Sequence, residues 1–178
     1  MYALPAFAAG AVAAAAVFVY VMRNFMIKTV RIEATFEDVC RRLGDAVTSV
    51  PGWGLPLPDW DFYSVVSSKH AFSNVVKKRL FFVCKSLYAN RIVDRHPWMG
   101  AMMPCTWAVY ETGNGDVFIS KMNIGLMSKM FMGSIIGSTM TKVAEEEHRI
   151  LTALNRLLEA PAEEAVKPKT EERPGAAA

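Results

Sequence analysis

Met103–Met122 reads MPCTWAVYETGNGDVFISKM, and this stretch decides the fold. Met103 to Glu111 and Val117 to Met122 alternate or run apolar, and Gly113-Asn114-Gly115 between them is a strong turn signal. Together they predict a β-hairpin. A hairpin alone is marginal in water, so further strands and covering helices are expected in the flanking sequence.

Upstream, Arg79 to Cys84 (RLFFVC) reads as a strand and Ser86 to Asp94 as a short helix. Phe62 to Ser67 reads as another strand, with a turn or short helix around Ala71 to Lys77. Lys28 to Ala34 (KTVRIEA) alternates through Val30 and Ile32 and predicts the first strand. Thr35 then suits a helix N-cap, with Asp38 three residues on in a near capping box. Phe36, Val39, Cys40, Leu43 and Val47 follow at helical spacing, and Arg41, Arg42 and Asp45 fall on the opposite face. This helix must end before Pro51-Gly52. The next run, PGWGLPLPDWD, is too rich in Pro and Gly for a helix or a central strand. Its tryptophans, Trp53 and Trp60, either plug a gap in the core or belong to a loop that covers a ligand or meets a bilayer.

Downstream of the hairpin, Asn123 to Thr141 carries Met127, Met130, Met132 and Met140 together with Gly125, Gly133 and Gly137. A last helix follows, with Val143, Ile150, Leu151, Leu154, Leu157 and Leu158 as its apolar stripe. Glu145, Glu146 and Glu147 suit its first turns by the dipole argument, and Pro161 stops it. Residues 160–178 are mostly Pro, Glu, Lys and Ala with little to bury, and are expected to be disordered. The reading is an α+β domain over residues 28–159: a small antiparallel sheet backed by helices in the order β-α-β-β-α-β-β-α.

One transmembrane helix is expected before it, in residues 1–25. Ala3 to Met22 (ALPAFAAGAVAAAAVFVYVM) contains no charged residue and as a helix would be about 30 Å long, matching a bilayer core. Tyr2 and Tyr20 near its ends suit interfacial positions. A cleaved signal peptide wants a basic region before the apolar run; here Arg23, Lys28 and Arg31 come after it. By the positive-inside rule the expectation is a single-pass anchor in the cell (inner) membrane with the C-terminal domain cytoplasmic.

The 178 residues fit one domain plus appendages, and the formal net charge is +3 with both signs interspersed. Such a pattern lacks the basic stripe of a nucleic-acid binder. Cys40, Cys84 and Cys105 are odd in number and unevenly spaced, which is no disulfide framework and no zinc-site spacing.

The stretch FFVCKSLYANRIVDRHPWMGAMMPCTWAVYETGNGDVFIS (residues 81–120) resembles the domain-of-unknown-function family numbered 302. The likeness rests on a strand ending in Cys84, a short helix, and Pro104-Cys105 entering a strand and hairpin. The strand and helix from Val30 to Val50 and the last helix match in kind, so the resemblance covers most of residues 30–158. It implies a compact α+β fold, often dimeric, with no established activity.

Cys105 is the leading candidate for chemistry, because it follows Pro104 at a strand entry where a side chain can be aimed at a pocket. Cys84 ends the neighbouring strand. Two thiols could bind a soft metal or take part in redox exchange, although a free cysteine is also a common small core hydrophobe. His96, in a polar loop beside Asp94 and Arg95, is a further ligand candidate. Methionines suit Cu(I), and a Met or His can ligate haem; they also fill cores and line adaptable apolar grooves. Met103, Met122, Met127 and Met130 are the groove candidates. No cofactor is specified by any motif, and Gly133-Ser-Ile-Ile-Gly137-Ser138 lacks the spacing and lysine of a phosphate loop. With no catalytic constellation, the leading expectation is a non-enzymatic, membrane-anchored module that binds a small ligand or a partner segment. The alternative is a thiol-based redox or soft-metal or haem-handling protein that uses Cys84 and Cys105.

Overall fold

A computed structural model describes residues 3–160, with the side chains of residues 3–9 left aside. The expected disordered tail lies outside the described residues but for its first residue, Ala160. Helix α1 (Ala3–Phe25) leads into strand β1 (Ile27–Ile32), helix α2 (Phe36–Ser49) and the short strand β2 (Trp53–Gly54). Helix α3 (Phe62–Ser67), strand β3 (Val75–Lys85) and helix α4 (Ser86–Val93) follow. A 3-10 turn (Pro97–Met102) enters strands β4 (Cys105–Thr112) and β5 (Val117–Met122), and helices α5 (Ile124–Met130) and α6 (Ile135–Glu159) close the domain.

The five strands make one antiparallel sheet in the order β1-β5-β4-β3-β2. β4 and β5 form the expected hairpin, with Trp107 opposite Lys121 and Val109 opposite Ile119. Gly115 turns it at φ +80°, a conformation that suits glycine because it has no Cβ to clash. Strand alternation sends Phe81, Val83, Trp107, Val109, Val117 and Ile119 to one face, and all are buried. Val39, Leu43 and Val47 of α2 and Ile150, Leu151 and Leu154 of α6 cover that face and are buried with them. α2 starts where the sequence predicts: Thr35 Oγ1 accepts from the Asp38 amide at 3.1 Å. The α+β class with an antiparallel sheet backed by helices therefore holds.

Three expectations are corrected. First, among the described residues no helix is long and apolar enough to cross a membrane. The single transmembrane span fails with it, and so do the membrane as partner and the single-pass inner-membrane placement with a cytoplasmic domain. The helix itself forms, but nine of its residues are alanine, the best helix former and a side chain of one methyl. Arg23 and Asn24 already lie within its last turn. Helix propensity, not apolar bulk, accounts for α1.

Second, Phe62 to Ser67 is helix α3, not a strand. Asp61 caps it, its carboxylate accepting from the Ser64 amide and hydroxyl at 3.0 and 2.7 Å, and this cap outweighs the strand preference of Val65 and Val66. The missing strand is supplied by the Pro/Gly run, where Trp53 pairs with Lys85 and Trp60 bridges to Leu80. An edge position is where such a run is tolerated. Third, the last helix starts at Ile135, capped by Ser134. Glu146 and Glu147 are therefore about three turns inside it, not in its first turns.

Gly137 lies under the turn that joins α5 to α6. A Cβ there would collide with the Phe131 carbonyl oxygen and lie 2.9 Å from the Ser128 carbonyl oxygen. Backbone cannot move aside as a flexible side chain can. Gly137→Ala should therefore cost about 1–3 kcal/mol in urea unfolding. Gly125→Ala, whose Cβ would meet Ala144 at an ordinary 3.6 Å, should be neutral or slightly stabilising. Equal stability of Gly137→Ala and the wild type would refute this packing.

Candidate functional site

The hairpin strands end, away from their turn, in a pocket of about 610 Å³. That volume falls within the roughly 300–1,000 Å³ of small-molecule sites. Its wall is mostly apolar: Met99, Met102, Met103, Met122 and Met140 line it with Phe82, Ile92, Ile124 and Val143. Pro104 and Cys105 stand at the strand entry and line it as well, with the Met103–Pro104 peptide in the cis form. The polar lining comes from Cys105, Thr106, Ser120 and Lys121.

Lys121 borders the pocket from β5, its side chain only 7 % exposed. Its ammonium forms an ion pair with Glu147, itself 1 % exposed, and lies 5.3 Å over the Trp107 ring. Trp107 donates its indole N–H to the same carboxylate at 3.2 Å. Burial pushes the Glu147 carboxyl above its ordinary range, against the pull of Lys121, the Trp107 hydrogen bond and Lys28. One residue earlier on α6, Glu146 accepts from Trp53 Nε1 at 2.6 Å, Lys85 Nζ at 2.8 Å and Tyr88 Oη at 2.8 Å. Burial works to raise this carboxyl too, but the three hydrogen bonds and the Lys85 charge win and hold it below 4.5.

The candidates separate. Pro104, Cys105, Met103 and Met122 meet at the pocket. Met127 is buried in the core, and Met130 is 49 % exposed on the far end of α5; neither lines the pocket. Cys84 does not line it, though it borders a small adjoining crevice with Cys105. The register sets Cys105 opposite Val83, so alternation sends the Cys84 side chain to the other sheet face. All three thiols are free. Burial pushes Cys105 up to about 12, with the Glu147 charge adding to the effect; burial likewise raises Cys40 to about 12 and Cys84 by less. A reactive thiol needs the opposite shift. His96 stacks edge-on to Trp98 at 6.1 Å and lines neither space beside Cys105. Among the described residues no group of three or more His, Cys, Asp or Glu is placed to hold a metal ion.

Lys121 and Glu147 were not among the sequence candidates. Lys121 alternates with Ile119 and Val117 on the buried side of a strand, and that periodicity is the signal that marks a lysine out of place.

Two outcomes follow. At pH 8, Cys40 and Cys105 should react with iodoacetamide at least about tenfold more slowly than a free thiol, because few molecules carry the thiolate; fast labelling of Cys105 would reverse this reading. Glu146→Gln should lower stability at pH 7 by about 1–3 kcal/mol. A carboxyl held low in the folded state stabilises above its unfolded value and loses that contribution as pH falls through the folded one. The gap between wild type and Glu146→Gln should therefore close below pH 4.5. A gap that stays constant or widens as the pH falls below 4.5 would contradict it.

Comparison with known proteins bears on the whole domain. No curated protein matches the chain. A solved structure titled "Crystal structure of uncharacterized conserved protein DUF302 from Bacillus stearothermophilus" is similar in fold. It shares 19 % identity at a TM-score of 0.61, over 75 % of this chain and 98 % of that one. The family model described as "Domain of unknown function DUF302" matches residues 28–156, from β1 through the last turns of α6, and the chain belongs to that family.

Proposed function

We propose that the domain is a binding module that holds a small, largely apolar ligand in the pocket at the Pro104–Cys105 strand entry. The observation that carries this reading is the pocket itself: 610 Å³, walled by five methionines and by branched and aromatic side chains. Apolar walls with a few polar groups are the usual makeup of a small-molecule site. Thioether side chains add adaptability, since Met is unbranched and polarizable and can repack around different shapes. The raised thiols at Cys84 and Cys105 argue against redox exchange as the main role. Soft-metal or haem handling has less support than apolar binding, because His96 stands apart from both cysteines.

Nile red, a neutral apolar dye that brightens in dry surroundings, tests the reading. The full chain should bind it saturably. Ala108→Trp, which places an indole in the half-buried pocket wall, should weaken binding about tenfold or more while the circular dichroism spectrum is kept. Equal binding by a folded Ala108→Trp variant would place the dye elsewhere and overturn the proposal.

A further inference from the structure

The lining of the pocket carries a single charged residue among the described residues, and it is Lys121. Three features bear on what that charge faces. An ammonium has three donors, and among the described residues Lys121 has one protein acceptor, the Glu147 carboxylate. The remaining N–H groups are buried with it, where an unmet donor is costly. Glu147 does not line the pocket; it meets Lys121 from α6, while Lys121 itself is part of the pocket wall.

The third feature is a surplus of positive charge. Lys28 of β1 is the direct cross-strand partner of Lys121. Like charges so placed repel, and both lysines act on the one carboxylate of Glu147. The groups facing Lys121 are thus Lys28 from β1, Trp107 and the un-ionised Cys105 thiol from β4, and Glu147 from α6. Two cations share one anion beside the apolar cavity, a positive surplus that solvent around the exposed Lys28 screens in part.

We infer that the ligand is an amphipathic carboxylate whose head group is taken by the Lys121 ammonium and whose hydrocarbon tail lies along the methionine-lined wall. This rests on the binding role proposed above and narrows it to a chemical class. A single anion would neutralise the surplus, fill the open donors of Lys121 and leave the rest of the molecule in apolar contact. Lys28, exposed at the sheet edge, adds attraction during approach.

The test compares decanoate with decanol, which share a tail and differ in charge, by displacement of Nile red from the full chain. Decanoate should bind about tenfold or more tightly than decanol, the range of a charge-assisted hydrogen bond. The double variant Lys121→Met, Glu147→Leu removes the ion pair as a unit and should bind decanoate and decanol with equal affinity. If that variant does not fold, Lys28→Met at the exposed edge serves instead and should reduce the preference about threefold. Equal affinity of the two probes for the wild type overturns the carboxylate inference and leaves the apolar-pocket reading standing. Failure of both to displace the dye overturns the two together.

Discussion

Two consecutive carboxylates on α6 hold the helix in register over the sheet. Glu146 gathers Trp53, Lys85 and Tyr88 at the β2–β3 side, while Glu147 gathers Trp107 and Lys121 on β4 and β5. Adjacent helical positions point about 100° apart, so a pair of neighbours can reach two different strand pairs. Each uses the same components, an indole N–H and a lysine ammonium. Sliding α6 by one residue would break both sets at once and leave charges buried without partners, a costly state. The apolar contacts of Ile150, Leu151 and Leu154 supply area but are non-directional; the glutamates supply the alignment.

That alignment also shapes the pocket. Met140 and Val143 reach the cavity from the same helix, about two turns and one turn before the carboxylates. Lys121 is kept at the cavity edge by Glu147 instead of extending to solvent, as a lysine normally would. The domain thus spends a buried ion pair where a hydrophobic pair would pack with less desolvation. A role in recognition gives that choice a purpose which stability alone does not.

The hairpin, α2 with its Thr35 cap, and α4 were legible because their signals are local: a Gly-Asn-Gly turn, an N-cap with helical spacing, a short amphipathic run. Elsewhere local signals competed. Val65 and Val66 favoured a strand, yet Asp61 with Ser64 capped a helix. The alanines of α1 read as a membrane span because the run is long and uncharged, but alanine favours a helix in any surroundings. At the site, Pro104, Cys105, Met103 and Met122 were found from the strand entry and the methionine cluster. Lys121 and Glu147 were not, because three consecutive glutamates look like dipole-favoured residues of a first turn, whereas α6 already begins at Ile135. Only the chain's return across the sheet, 26 residues after Lys121, shows that they are partners.

The broken edge strand has a bearing on how the protein meets other chains. β2 and the Trp60 bridge cover the outer side of β3 in two pieces, and the intervening loop contains Pro56 and Pro58. Neither proline can donate to a ladder, so this border offers no continuous row of amides to a foreign strand. The other border, β1, is six residues long and carries Lys28 and Arg31. One side of the sheet is thus sealed by missing donors and the other guarded by charge. The fold can display an apolar cavity while resisting the edge-to-edge stacking that exposed sheets invite.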